Sequence, residues 1–72
     1  MRRTAVLSEV PGTVWRVLVA VGDTVEASQE LLMIESMKME IPVLAPRAGR
    51  VAEILVAEDD PVAADQTVIW ID

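Results

Sequence analysis

The chain has 72 residues, enough for one small domain but not for a deep core, since a chain this short buries only about 60% of its unfolded surface. Twelve acidic and six basic residues give a formal charge of −6, which argues against nucleic acid or an anionic membrane as a partner. Without cysteine or histidine, the chain lacks disulfides, thiolate or imidazole metal ligands and the usual acid–base side chain, so no metal site is expected.

The chain begins MRRTAVLSEVPG, with two arginines followed by an apolar run of only three residues. Such a run is too short for a secretory signal or a membrane span. We therefore expect a cytoplasmic protein, and its net charge favours a dispersed monomer.

From residue 12 onward the sequence is one unit written twice. Residues 12–35 align with residues 49–72 without a gap, and 10 of the 24 pairs are identical, whereas composition alone would give about two. Two copies and no third predict two halves related by a pseudo-twofold axis around one core. Residues 1–72 are accordingly predicted to form a single domain.

Both copies have the composition of β structure, rich in Val, Leu and Ile and bounded by turn residues. The predicted strands are, in chain order, residues 12–19, a very short strand near 25, 30–36, 39–45, 49–56, a very short strand near 62, and 67–72. Turns are predicted at Gly22-Asp23 and at Asp59-Asp60-Pro61. No window has helical spacing of apolar residues, and Pro42 and Pro61 fit edge strands best because proline donates no ladder hydrogen bond.

These strands predict a flattened sandwich or barrel with one core, lined by residues from both halves. The predicted core residues are Leu7, Val14, Val17, Val19, Val25, Leu31, Ile34, Val51, Ile54, Val56, Val62, Val68 and Ile71. Trp15 aligns with Ala52, and Trp70 aligns with Met33. Each half thus has one bulky aromatic opposite a smaller residue, which favours complementary core or flank packing over ligand stacking.

Lys38 is the only lysine in the chain, and it lies at the join between the copies. Met37-Lys38 is predicted to form a tight turn between two apolar strands, where Asn-Gly or Gly-Gly would be usual. A lysine at a turn is ordinarily just a solvated charge. A solitary lysine at the centre of a repeat, in a poor turn and between two methionines, instead indicates a functional group.

The run IESMKMEIPVLAP resembles the attachment sequence of the biotinyl domains of biotin-dependent carboxylases, and the repeat pattern resembles that family over nearly the whole chain. The closest likeness is to small stand-alone biotinyl/lipoyl attachment proteins. The resemblance implies a hammerhead-shaped, flattened β-barrel of two four-stranded antiparallel sheets. It also implies that Lys38 lies on a hairpin at one end and the chain termini at the other.

The same resemblance implies a role for each residue of the tip. Lys38 would be the biotinylated lysine, Met37 and Met39 would help partners recognise the tip, and Glu35 would help the ligase choose the right lysine. The implied partners are a biotin protein ligase, a biotin carboxylase and a carboxyltransferase, between which biotin carries CO2. Because lysine amines are charged at pH 7, we expect the ligase to remove the proton, and the domain to carry rather than catalyse.

Three turns depart from the family pattern, in that other residues stand where glycine is common. They are Ala27-Ser28, Asp59 and Ala64-Asp65. The sequence predicts strain in these turns and little effect on the tip.

Two other functions are compatible with the pattern. A lipoyl carrier shares the fold, but usually has Asp before the lysine and Ala after it, so Met-Lys-Met favours biotin. An unmodified hammerhead-like interaction module would have no use for Lys38. An enzyme is the weakest interpretation, because a site would have to be built from carboxylates on a thin domain.

Overall fold

Apolar and β-branched residues form strands throughout residues 3–72, the part of the chain that the computed structural model describes. The strands are β1 Thr4–Ser8, β2 Gly12–Val17, β3 Thr24–Val25, β4 Glu30–Ser36, β5 Met39–Leu44, β6 Gly49–Ile54, β7 Pro61–Val62 and β8 Gln66–Ile71. β4 has the predicted bounds. The predicted strands at 12–19 and 49–56 are each two residues too long, because the chain leaves the sheet while its residues are still apolar. β1 was not predicted.

The strands form two four-stranded antiparallel sheets, in the orders β1-β8-β6-β3 and β5-β4-β2-β7. A shift of 37 residues converts one order into the other, since β1, β8, β6 and β3 then become β5, β4, β2 and β7. Each sheet contains two strands from each half of the chain, so neither half forms a sheet by itself. The predicted fold class and its pseudo-twofold symmetry are confirmed.

Residues that are identical in the two copies make identical turn contacts. We call the residue 37 positions away in the other half the twin. The side chain of Asp23 accepts a hydrogen bond from the Ala20 N–H at 2.9 Å, and Asp60 accepts one from Ala57 at 2.9 Å. The Gln29 side chain accepts from the Glu26 N–H at 2.9 Å, as does its twin Gln66 from Ala63. These contacts fix the two turns by which each half crosses between the sheets.

The core lies between the sheets and consists of apolar side chains, and Ser8 is the one polar residue among residues 3–72 that is also buried. Its buried members are Val6, Val14, Val25, Leu31, Leu32, Ile34, Val43, Ala45, Val51, Val56, Val62, Val68, Ile69 and Ile71. Bulges at Leu31 and at its twin Val68 interrupt the strand pairing. In each bulge two consecutive residues, Leu31-Leu32 and Val68-Ile69, therefore face inward.

The prediction that Leu7 belongs to the core was wrong. Leu7 is 40% exposed, whereas its neighbours Val6 and Ser8 are buried. Side chains alternate across a strand, so an error of one residue reverses the face. Val17, Val19 and Ile54 are only partly buried and pack against the core rather than within it.

Neither tryptophan is a fully buried core residue. Trp15 is 41% exposed, and Trp70 is half-buried. Trp15 occupies a bulge in β2, where the pairing with β4 skips from Val14 to Arg16. It lies on the outer surface of its sheet.

The two prolines lie where the sequence predicts. Pro42 is in β5 and Pro61 begins β7, and these are the two edge strands of one sheet. An edge strand pairs on one side only, which suits a residue that has no backbone N–H.

The molecule is elongated, with principal extents of 36 × 18 × 17 Å. At one end, the first residue of β1 pairs with the last of β8, Thr4 with Ile71. Arg47 fastens this end by donating to the Thr4 hydroxyl at 2.8 Å and to the Ile71 carbonyl at 3.2 Å. The hairpin between β4 and β5 forms the other end.

Candidate functional site

The β4–β5 hairpin closes through the tightest turn that two antiparallel strands allow. Ser36 pairs with Met39, which leaves only Met37 and Lys38 in the loop. Their φ angles are +51° and +64°, as a type I′ turn requires. Non-glycine residues in this region cost of order 1–3 kcal/mol each. The turn is the predicted one, and its strain is real.

Lys38 and its two neighbours project into solvent. Met37 is 93% exposed and Met39 is 63% exposed, and Lys38 is exposed as well. Methionine is a residue that proteins usually bury. Two exposed methionines on either side of one amine therefore indicate a surface meant for contact with other molecules.

The base of the hairpin is firmly held. Ile34 and Ile41 are cross-strand partners, and Ile34 is completely buried, while Val43 further along β5 is also in the core. The exposed turn thus begins only a few residues beyond the packed interior. A tip mounted in this way presents its side chains in a restricted set of orientations.

Glu35 lies directly opposite Glu40 at the foot of the turn. Both carboxylates are exposed, and neither has an ion-pair or side-chain hydrogen-bond partner among residues 3–72. Like charges directly opposite each other on a sheet are unfavourable. The twin positions are occupied by Asp72 and Arg3, whose side chains form an ion pair at 3.1 Å. At these two positions the tip therefore has two carboxylates, whereas the other end of the molecule has a carboxylate paired with a guanidinium.

The structure brings together all four residues that the sequence assigns to the site: Glu35, Met37, Lys38 and Met39. It adds Glu40, which was expected near Lys38 but was not assigned to the site from the sequence. In a two-residue hairpin Ser36 pairs with Met39, and the next pair outward is Glu35 with Glu40. The position of Glu40 opposite Glu35 could therefore have been predicted from the register of the predicted turn.

A hollow of about 170 Å³ opens between β1 and β5, lined mainly by apolar residues with Ser8 and Glu9. The Ser8 hydroxyl donates to the Val10 carbonyl at 2.6 Å, so it is already engaged within the loop. Across residues 3–72, no three acidic side chains gather closely enough to hold a metal ion, and no helix is long and apolar enough to cross a membrane.

Comparison with known proteins gives a consistent result. The family model described as "Biotin-requiring enzyme" matches residues 4–71. The Biotin/lipoyl attachment protein of Bacillus subtilis is 46% identical over 52 residues, which are 72% of this chain and 71% of that protein. The Biotin carboxyl carrier protein of Streptococcus mutans is 45% identical over 62 residues, which are 86% of this chain and 48% of that protein.

A solved structure has the same fold. The crystal structure of Kluyveromyces lactis urea carboxylase superposes with a TM-score of 0.95 at 38% identity, over all of this chain and 6% of that chain.

One relative has a name that refers to lipoyllysine and not to biotin. The dihydrolipoyllysine-residue acetyltransferase component of the pyruvate dehydrogenase complex of Corynebacterium glutamicum is 44% identical over 55 residues, which are 76% of this chain but 8% of that protein. The matched part of this chain therefore corresponds to 71% of the Bacillus subtilis protein but to only 8% of the Corynebacterium glutamicum protein.

Proposed function

This chain belongs to the biotin/lipoyl attachment family, and we propose that within it the chain acts as a biotin carboxyl carrier with biotin joined to Lys38. The observation that carries the proposal is the solitary amine at the apex of a strained, two-residue turn between two exposed methionines. Biotin bound there would supply a CO2 carrier that moves between a biotin carboxylase and a carboxyltransferase.

Lys38 fits an amide-linked prosthetic group. Its side chain is exposed, and within residues 3–72 it forms no hydrogen bond or ion pair that attachment would have to break. Attachment by a biotin protein ligase would join the biotin carboxylate to the lysine Nζ with loss of one water. The long side chain then serves as a tether, which keeps the attached group at a high local concentration near each partner.

The residues around Lys38 have supporting roles in this proposal. Met37 and Met39 provide adaptable apolar contacts for a tip that must fit several partners in turn. Glu35 provides charge by which the ligase distinguishes Lys38 from the lysines of other proteins. The buried Ile34 holds the hairpin base, so that less orientational freedom is lost in each encounter.

The domain's part in the reaction is therefore to carry and not to catalyse. Small relatives such as the Bacillus subtilis attachment protein make a stand-alone carrier a reasonable form for it. The ligase, the biotin carboxylase and the carboxyltransferase are its proposed partners.

A lipoyl carrier is the second candidate, favoured by the likeness to the Corynebacterium glutamicum acetyltransferase component. Both modifications are amides of the same lysine. Met-Lys-Met at the tip, together with the Streptococcus mutans relative named for biotin, favours biotin.

The test is to express the chain with a biotin protein ligase and free biotin and to measure the intact mass. The expected product has gained one biotin minus one water, with the modification mapped to Lys38. A Lys38→Arg variant should fold and keep its bare mass. If the wild-type chain keeps its polypeptide mass under these conditions, or gains lipoate instead in cells that supply both groups, the biotin proposal is wrong.

A further inference from the structure

The bulge in β2 creates an exposed aromatic patch. Because the pairing with β4 skips Trp15, both Trp15 and Arg16 are exposed instead of alternating between the two faces of the sheet. The Arg16 guanidinium carbon lies 4.9 Å from the centroid of the Trp15 ring. Trp15 remains 41% exposed, so a large part of the indole is available for contact.

The twin of Trp15 in the other half of the molecule is an alanine in the same backbone setting. The twin bulge in β6 has the same skipped pairing, between Val51 and Glu53, with Ala52 in place of tryptophan. Glu53 is the twin of Arg16 and forms an ion pair with Arg3 at 3.5 Å. The twin surface also has a tryptophan and an arginine, since Trp70 is the cross-strand partner of Glu53, but Trp70 is half-buried there and Arg3 is engaged in the ion pair. The two surfaces therefore differ in that only the one in β2 has a tryptophan as exposed as Trp15.

Trp15 is on the same surface as the two carboxylates beside the tip. Thr13, two residues before Trp15, pairs with Glu35, which in turn pairs with Glu40. Trp15 therefore lies diagonally across from Glu35 on the outer face of the same sheet. We call this surface the tryptophan face and define it by Trp15, Arg16, Glu35 and Glu40.

We propose that the biotin protein ligase docks on the tryptophan face, with the Trp15 indole in an apolar pocket and cationic side chains opposite Glu35 and Glu40. The inference deepens the proposed function and rests on it. The two opposed carboxylates lack cationic partners among the described residues, so a basic surface complements them. Tryptophan and arginine are the residues that most often anchor protein interfaces.

The ligase is the partner that most needs such a surface. It meets the domain before any prosthetic group is attached, so it must recognise the protein's own side chains. The later partners can bind the attached biotin itself.

The first test is steady-state biotinylation of the unmodified Trp15→Ala variant. We expect the KM for the domain to rise about tenfold, as for loss of one interface anchor, with kcat little changed. Trp15 is not part of the buried core, so the variant should fold. Leu55→Ala is the matched control, since Leu55 is 45% exposed and lies outside the tryptophan face; its KM should equal that of the wild type. An unchanged KM in Trp15→Ala would overturn the proposal.

The second test uses the wild-type chain and does not depend on any variant folding. Oxidative footprinting with and without the ligase should show several-fold protection of Trp15, while Trp70, which is outside the tryptophan face, keeps its reactivity. Equal oxidation of Trp15 in the complex and in the free domain would contradict docking on this face.

The proposed contact between cationic side chains of the ligase and Glu40 is tested with a separate variant. Glu40→Gln should raise the KM and weaken its dependence on salt, because one charge is removed from the contact. A KM and salt dependence identical to the wild type would reject cationic recognition of Glu40. In all these tests, biotin on wild-type Lys38 shows that the carrier function stands even where the docking inference fails.

Discussion

Gly12 lies so close to the backbone carbonyl oxygen of Glu35 that a β-carbon at position 12 would overlap it. The same β-carbon would lie 2.7 Å from Cγ2 of Ile34, which is completely buried. The start of β2 is therefore packed directly against the foot of the hairpin that carries Lys38. The absence of a side chain at this one position allows the two strands to approach.

Gly12→Ala should lower the free energy of unfolding by about 1–3 kcal/mol, since backbone or Ile34 must move to admit the methyl group. Gly49→Ala should have a similar effect, because its β-carbon would lie 2.5 Å from the Asp72 carbonyl oxygen and 2.6 Å from Cγ2 of Ile71. Urea unfolding of both variants checks this prediction. Gly22→Ala is the contrast, as its β-carbon would have open space and only the φ of +96° opposes it. A loss no larger at position 12 than at position 22 would contradict the packing argument.

Asp59→Gly should stabilise the protein by about 0.5–1 kcal/mol. Asp59 has a φ of +75°, a conformation that favours glycine, and its twin is Gly22. Among the described residues its side chain has no hydrogen bond or ion pair to lose. The measurement is the midpoint of urea or thermal unfolding.

The adjacent Asp60→Ala variant is the control for this turn, with an effect of opposite sign. Asp60 accepts the Ala57 N–H at 2.9 Å, so its removal should cost about 0.5–1.5 kcal/mol. If Asp59→Gly and Asp60→Ala changed the free energy of unfolding in the same direction, the positive φ of Asp59 would not be the feature that limits the stability of this turn.

The internal repeat made the symmetry of the fold predictable. Gly12, Asp23 and Gln29 are identical to their twins because each has a local task, either a close backbone approach or the closing of a turn, that both halves share. The predicted strain in turns without glycine was also correct. Ser28, Asp59 and Asp65 all have positive φ.

Other features could not be deduced from a repeat alone. The repeat does not specify which half a strand pairs with, so the interleaving of the halves within each sheet was not predicted. β1 was missed because the alignment began at residue 12, although Val6 and Leu7 are identical to their twins Val43 and Leu44. Leu7 and Leu44 are both exposed, at 40% and 45%, which shows that apolar character does not establish which face a residue occupies.

For the site, Lys38 could be identified as the functional residue because it is the only lysine and because it lies between the two copies. Trp15 follows the buried Val14 and faces outward by ordinary alternation, whereas Arg16 is exposed because of the bulge. The sequence predicts packing of the tryptophan against the protein from its bulk alone, and apolar periodicity does not reveal the bulge.

The twin glutamines should contribute equally and independently to stability. Gln29 and Gln66 each accept one backbone N–H at 2.9 Å, from Glu26 and Ala63. Gln29→Ala and Gln66→Ala should each cost about 0.5–1.5 kcal/mol in urea unfolding. The double variant should lose the sum within about 0.5 kcal/mol, because the two turns share no partner. A strongly non-additive double variant would show that the turns are coupled through the core.

Met37→Asn should have opposite effects on the stability of the domain and on recognition of the tip by the ligase. Asparagine tolerates the φ of +51° better than methionine, so the free energy of unfolding should rise by about 0.5–1 kcal/mol. If the proposed carrier function is right, kcat/KM for biotinylation of Lys38 should nevertheless fall several-fold, since an apolar contact with the ligase is lost.

Ser28→Asn is the matched control, with a φ of +68° in a turn outside the tip hairpin. It should gain similar stability and be biotinylated at the wild-type rate. Urea unfolding and ligase kinetics on the same preparations measure both quantities. If Met37→Asn were stabilised and biotinylated as fast as Ser28→Asn, the methionine would have no role in recognition, and the strained turn would need another explanation.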